Sequence, residues 1–80
     1  MRKYQRIEFR RRFGQRLKAL RERKKLSKTD VAAALGCTVQ NICGIEYGKW
    51  GTGTSNLATL ARLFEMTVDE LLKEEPEHAA

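Results

Sequence analysis

The chain has 80 residues, a formal net charge of +6, one histidine and two cysteines, and its length is that of one small domain with a compact core. So small a domain leaves little room for a catalytic cleft, and its histidine and thiols supply neither a nucleophile with its base nor the roughly four ligands that zinc needs. No apolar run approaches the roughly 20 residues that span a bilayer, so we expect no enzyme activity, cofactor, metal site or membrane partner.

The first part of the chain carries most of the positive charge. Residues 1–28 contain thirteen Lys or Arg residues against two Glu residues, whereas residues 29–80 contain three basic residues against eight acidic ones. A basic block of this kind is typical of proteins that bind polyanions such as nucleic acid. It is equally compatible with a solvated helix face that continues into a basic tail. Charge alone therefore leaves both interpretations open.

Apolar spacing predicts the first helix. Phe13, Leu17 and Leu20 follow an i, i+4, i+7 pattern and so share one helical face. Residues 1–12, which precede them, are interpreted as a basic N-terminal arm or as an extension of this helix. The domain itself is expected to cover residues 13–73.

Two short capped helices are predicted next. Ser27 is an N-cap candidate for a helix over about residues 28–35, and Gly36 allows the positive φ that ends a helix at little cost. Thr38 is an N-cap candidate for a third helix over about residues 39–47. Two helices joined by so tight a turn cross at a steep angle. This pattern predicts a helix-turn-helix, whose second helix enters the major groove.

Two further helices complete an all-α fold. A loop rich in glycine and threonine, with Trp50, separates the third helix from a fourth. Three hydroxyl residues are N-cap candidates for that fourth helix: Thr52, Thr54 and Ser55. Thr67 and Glu70 form the pattern of a capping box at the start of a short fifth helix. Residues 74–80 are acidic and polar and are expected to form a flexible tail.

The two cysteines, Cys37 and Cys43, are interpreted as reduced thiols that pack against the core. A redox-sensing role for Cys43 is the alternative. Because the N-terminus is basic but lacks the apolar core of a signal peptide, we expect a cytoplasmic protein. The core is expected to include an apolar set on the third and fourth helices: Ile42, Ile45, Leu57, Leu60 and Phe64.

Short segments, none of them specific alone, occur in a definite order and spacing along the chain: Phe13–Arg21, Leu26-Ser27, Val31-Ala32, Leu35-Gly36, Ile42, Ile45–Lys49, Leu57, Leu60-Ala61 and Val68–Leu72. Together they resemble the lambda-repressor/Cro (Xre-type) DNA-binding domains over about residues 13–72. The resemblance implies a five-helix lambda-repressor-like fold and a repressor-like regulator of transcription that binds specific double-stranded DNA. Because one recognition helix reads few base pairs, a homodimer is expected. No small-molecule effector is evident.

The resemblance also implies roles for individual residues. It places four positions on the DNA-facing side of the recognition helix as base-contacting residues: Val39, Gln40, Asn41 and Gly44. It assigns phosphate contacts to four residues at helix N-termini or just after the third helix: Lys28, Thr38, Tyr47 and Lys49. Arg21 and Glu46 match a family pair that joins the first helix to the end of the third. Since burying one of these charges without the other would destabilise the fold, we expect the two side chains to be in contact.

The expected base-reading residues differ in chemistry. The amides of Gln40 and Asn41 can both donate to and accept from a base edge, adenine most readily. Val39 can pack on a thymine methyl group. Gly44 has no side chain to read a base, so it is expected to allow close approach of the backbone. Lys28 stands where many relatives have a glutamine that braces the first recognition residue.

Two assignments and one alternative function stay open at this stage. Trp50 either covers the edge of the core or lies in a dimer interface. The basic residues Arg2, Lys3 and Arg6 either belong to a basic tail or form an arm that contacts DNA, as an N-terminal arm does in some relatives. The alternative function is a protein-interaction or antitoxin-type module that keeps the fold with weak or no direct base readout.

Overall fold

A computed structural model describes residues 7–73, which form five α-helices and no strand. The helices are, in chain order, α1 (Ile7–Arg23), α2 (Lys28–Leu35), α3 (Val39–Glu46), α4 (Thr54–Leu63) and α5 (Val68–Leu72). The predicted all-α, five-helix fold is confirmed. The candidate arm residues Arg2, Lys3 and Arg6 and the tail over residues 74–80 lie outside the described residues.

Helix α1 begins before Phe13, the first residue of the predicted apolar stripe. It starts at Ile7, and Phe9 is buried one turn before Phe13. The two rings stack with their centroids 6.2 Å apart and their planes 8° from parallel. Phe9 therefore lengthens the apolar face of α1 by one turn, and residues 7–12 are part of the helix.

The predicted caps of α2 and α3 are confirmed. The Ser27 hydroxyl accepts a hydrogen bond from the Asp30 backbone N–H, and the Asp30 carboxylate accepts one from the Ser27 N–H, at 3.0 Å and 2.8 Å. Gly36 ends α2 with a φ of +69°. The Thr38 hydroxyl then accepts from the Asn41 N–H at 3.1 Å. Each hydrogen bond satisfies a helix-end group that has no partner within the helix.

The start of α4 differs from the prediction, whereas the start of α5 agrees with it. The N-cap of α4 is Gly53, which makes no side-chain cap hydrogen bond. The expectation of a hydroxyl cap from Thr52, Thr54 or Ser55 is therefore wrong. A glycine accepts the extended N-cap backbone readily, and α4 is held by a buried apolar stripe instead: Leu57, Leu60 and Ala61. At α5, Thr67 and Glu70 form the predicted capping box.

One core holds the five helices together. The predicted core residues Ile42, Ile45, Leu57, Leu60 and Phe64 are all buried. Cys37 is half-buried and packs against this core. No helix within residues 7–73 is both long enough and apolar enough to cross a membrane.

Helices α1 and α3 approach each other closely at Gly14. A Cβ atom at this position would overlap the carbonyl oxygens of Ile45 and Glu46. The two backbones can come this close because Gly14 has no side chain. This contact places the C-terminal end of α3 directly against α1.

Candidate nucleic-acid interface

A buried ion pair holds the C-terminal end of α3 against α1. The Arg21 guanidinium donates to the Glu46 carboxylate from two nitrogens, at 2.7 Å (Nε to Oε2) and 3.3 Å (Nη2 to Oε1). It also donates from Nη1 to the Leu26 carbonyl oxygen at 3.0 Å, so the loop before α2 is attached to the same side chain. The hydrogen bond that Arg21 donates to Glu46 raises the pKa of Arg21 against the opposing effect of burial. The structure thus brings together the two residues expected to touch.

The first turn of α3 and the loop after it form an exposed surface, which we call the recognition face. It consists of Thr38, Val39, Gln40, Asn41, Tyr47, Lys49 and Trp50, all exposed except the half-buried Asn41. Val39 is exposed over 39% of its surface, although it is apolar. The capping bond at Thr38 and the ion pair at Glu46 hold opposite ends of α3. The recognition face is therefore carried by a helix whose position is set from both ends.

The structure differs from the prediction at Gly44. The sequence places Gly44 open on the DNA-facing side, but it is buried, and a Cβ atom there would overlap the six-membered ring of the Trp50 indole. Trp50 follows the turn at Gly48, which has a φ of +77°, and its ring lies over α3. The expectation of an open Gly44 is corrected, because the indole occupies the space that an outward side chain would fill.

Trp50 also makes a polar contact with a predicted base-reading residue. Its indole Nε1 donates a hydrogen bond to Oδ1 of Asn41 at 2.8 Å. Sequence reasoning missed this contact. The available signal was a glycine on the outward side of a predicted helix with a tryptophan six residues later. Within this chain, Trp50 is packed on α3 and 40% of its surface stays exposed.

Lys28 connects the start of α2 to the middle and end of α3. Its ammonium group is 3.4 Å from the Cys43 sulfur and 5.9 Å from the centroid of the Tyr47 ring. A lysine over an aromatic face is stabilised by the negative charge density of the ring. The Cys43 thiol is half-buried and free, as is that of Cys37. Lys28 and the exposed Lys49 thus supply positive charge beside α3.

Some of the basic residues of α1 lie outside the recognition face. Arg12, Arg16 and Arg23 line a groove of about 490 Å³ between α1 and α5. Arg16 donates from Nη2 to the Glu70 carbonyl oxygen at 3.1 Å. The positive charge that dominates the sequence is therefore distributed over more than one side of the domain. Residues 7–73 contain no group of three or more His, Cys, Asp or Glu side chains that could hold a metal ion.

Comparisons with known proteins agree with this geometry. A family model described as a helix-turn-helix domain matches residues 12–73. A comparison with curated proteins finds no match. Among solved structures, the chain is similar to the crystal structure of the restriction-modification controller protein C.AhdI from Aeromonas hydrophila, with a TM-score of 0.71 and 32% sequence identity. That match covers 78% of this chain and 94% of the other.

Proposed function

Because this chain belongs to the Xre-type helix-turn-helix family and is a DNA-binding transcriptional regulator, we propose that it recognises specific double-stranded sites by placing α3 in the major groove. The observation that carries the proposal is the exposed first turn of α3. It presents the amide side chains of Gln40 and Asn41 at the end of a helix whose two termini are held in place. An amide can both donate and accept, which suits the hydrogen-bonding groups of base edges.

Phosphate contacts would set the position of α3 in the groove. Lys28 and Lys49 supply positive charge beside α3, and Thr38 lies at its N-terminus. Helix N-termini and basic side chains are common partners of phosphate oxygens, which fix the register of a protein without reading sequence. The exposed Tyr47 hydroxyl is the fourth candidate. In this proposal these four residues position α3, and Gln40 and Asn41 provide the sequence preference.

We further propose that the protein binds as a homodimer. A single α3 reads about 4–6 base pairs, which is too few for useful selection within a genome. Two copies related by a two-fold axis read two half-sites about one helical turn apart. The similarity to a restriction-modification controller protein favours a regulator with defined sites over an architectural DNA-binding protein.

A second candidate function is a protein-interaction or antitoxin-type module with weak base readout. The apolar, exposed Val39 and the covered Gly44 favour it, because both reduce the number of polar groups offered to base edges. In that case the recognition face would contact another protein.

One experiment separates the two functions. DNA selected from a random pool is compared with unselected duplex in competition binding, at several salt concentrations. The proposal expects the selected site to bind at least about 10³-fold more tightly than unselected DNA. Gln40→Ala is expected to reduce that ratio, whereas the control Gln15→Ala, on the groove side of α1, is expected to leave it unchanged. Salt-dependent binding without a preferred site, or no binding at low salt, would favour the second candidate.

A further inference from the structure

The contact between Trp50 and Asn41 has a consequence for base recognition. Asn41 and Gly44 are three residues apart on α3 and so lie on the same side of the helix. The indole covers Gly44 and reaches Oδ1 of Asn41 with its N–H group, at 2.8 Å. The tryptophan ring thus contacts the side of α3 that carries the predicted base readers.

This hydrogen bond sets the orientation of the Asn41 side-chain amide, that is, the positions of Oδ1 and Nδ2. A side-chain amide has an acceptor oxygen and a donor nitrogen of nearly equal size, and it can turn by half a rotation to exchange them. The indole N–H is a donor and has no acceptor capacity. Only the oxygen of Asn41 can therefore face Trp50, and the two N–H groups of Nδ2 are directed away from the indole.

We propose that Trp50 is a positioning residue for base readout, which orients Asn41 so that it offers hydrogen-bond donors to DNA. This inference rests on the proposed function. Guanine presents two acceptors, O6 and N7, in the major groove, whereas a two-point contact with adenine also needs an acceptor on the protein. The indole N–H takes one of the two lone pairs of Oδ1 and leaves both N–H groups of Nδ2 free. Asn41 therefore offers more donor than acceptor capacity, which matches guanine better than adenine. Guanine is therefore expected at the Asn41 contact, where the sequence alone favours adenine.

The surroundings of Asn41 leave it accessible to a base. An open hollow of about 360 Å³ lies beside it, lined by Cys37, Thr38, Gln40, Asn41 and Trp50. Asn41 is half-buried and lines this hollow. Gly44 is part of the same arrangement, because a side chain at that position would displace the indole. The orientation of Asn41 therefore depends on the position of Trp50, which in turn depends on the absence of a side chain at Gly44.

The test uses Trp50→Phe, which keeps an aromatic ring over Gly44 but removes the N–H donor. Sites are first selected with the wild type, and the affinities of the wild type and of Asn41→Ala are then measured for base-pair variants of the selected site. The base pair whose identity affects binding by the wild type but not by Asn41→Ala is taken as the Asn41 contact. Wild type is expected to prefer guanine over adenine at that pair. In Trp50→Phe this preference is expected to fall about fivefold, the ordinary contribution of one hydrogen bond. Affinity for unselected duplex is expected to fall by a smaller factor than the base preference does, since phosphate contacts dominate non-specific binding.

A double-mutant comparison separates positioning from a structural effect. In the Asn41→Ala background, Trp50→Phe is expected to lower affinity for the selected site no further, because the amide that it orients is absent. In the free protein, the side-chain amide proton signals of Asn41 are expected to shift in Trp50→Phe, while the thermal unfolding midpoint stays close to that of the wild type.

Three results would overturn the inference: adenine preferred at the Asn41 pair, an unchanged preference in Trp50→Phe, or an equal loss of affinity for the selected site when Trp50→Phe is made in the wild type and in Asn41→Ala. In each of these cases selected DNA is still bound, so the proposed function stands. If the wild type binds no duplex, the proposed function itself is wrong and this inference is wrong with it.

Discussion

Arg21 and Glu46, 25 residues apart in the chain, form a two-point ion pair that is almost completely buried between α1 and the end of α3. Removing one partner of such a pair leaves a buried charge without compensation. Glu46→Ala is therefore expected to lower the free energy of unfolding by about 3–5 kcal/mol in urea denaturation. The exposed pair between Lys24 and Glu65, with a 3.3 Å separation, provides the control. Lys24→Ala is expected to cost less than about 1 kcal/mol, and equal losses in the two variants would contradict this interpretation.

Substitution of Gly14 is expected to lower the stability of the domain more than substitution of the other described glycines. A methyl group there meets two backbone carbonyls of α3, which cannot move aside as a flexible side chain could. Gly14→Ala is therefore expected to destabilise the domain by at least about 2 kcal/mol, despite the better helix propensity of alanine. The neighbouring and exposed Gln15 serves as control, since Gln15→Ala is expected to stay within about 0.5 kcal/mol. Chemical denaturation monitored by circular dichroism measures both.

Gly44→Ala is expected to displace the Trp50 indole rather than to unfold the domain. The obstructing atoms belong to the end of a side chain that is already partly exposed, so it can move. Trp50 is the only tryptophan, so its fluorescence reports the change directly. We expect a red-shifted emission and stronger quenching by acrylamide. Gly53→Ala, at a position with open space around its backbone, is expected to leave the emission unchanged. An unaltered emission in Gly44→Ala would show that the indole does not lie on this glycine.

The two capping boxes are expected to make stability depend on acid pH. Hydrogen bonds from the backbone N–H and hydroxyl of Ser27 lower the pKa of Asp30, and those from Thr67 lower the pKa of Glu70. Because these folded-state pKa values lie below the unfolded ones, the contribution is complete above about pH 4–5 and is lost as the pH falls through the folded values.

Unfolding free energies measured from pH 7 to pH 2.5 test this. The double variant Asp30→Asn, Glu70→Gln is expected to lose less stability on acidification than the wild type does. Asp69→Asn is the control, because Asp69 takes part in neither capping box. An acid dependence that is the same in wild type and double variant would exclude the capping carboxylates as its cause.

Lys49→Ala is expected to weaken binding to all duplex sequences by a similar factor. Each phosphate contact releases counterions from DNA, so losing one reduces the slope of log affinity against log salt by about 1. Lys73→Ala serves as control, since Lys73 lies at the end of α5 and lines the groove with α1. If the slope stays unchanged in Lys49→Ala, Lys49 does not contact phosphate.

Local features of this fold could be predicted from the sequence because they depend on neighbouring residues. The caps at Ser27, Thr38 and Thr67 and the turn at Gly36 involve hydrogen bonds within about four residues. Apolar spacing likewise identified the buried faces of α3 and α4. The N-cap of α4 was predicted wrongly because this local signal is weak there: Gly53 caps α4 without a side chain. Pairing of Arg21 with Glu46 came from the family resemblance, because no local rule joins residues so far apart.

The sequence by itself therefore determined the helices, the caps at Ser27, Thr38 and Thr67, and the family to which the recognition helix belongs. Tertiary structure alone decided what the recognition face presents. Whether Gly44 is open or covered depends on the path of the chain after Gly48, which brings the Trp50 indole back over α3. That path also sets the orientation of Asn41, through a hydrogen bond that spans nine residues. Such contacts join separate elements whose relative placement is set by the packing of the whole core, so the spacing of residues along the chain does not encode them.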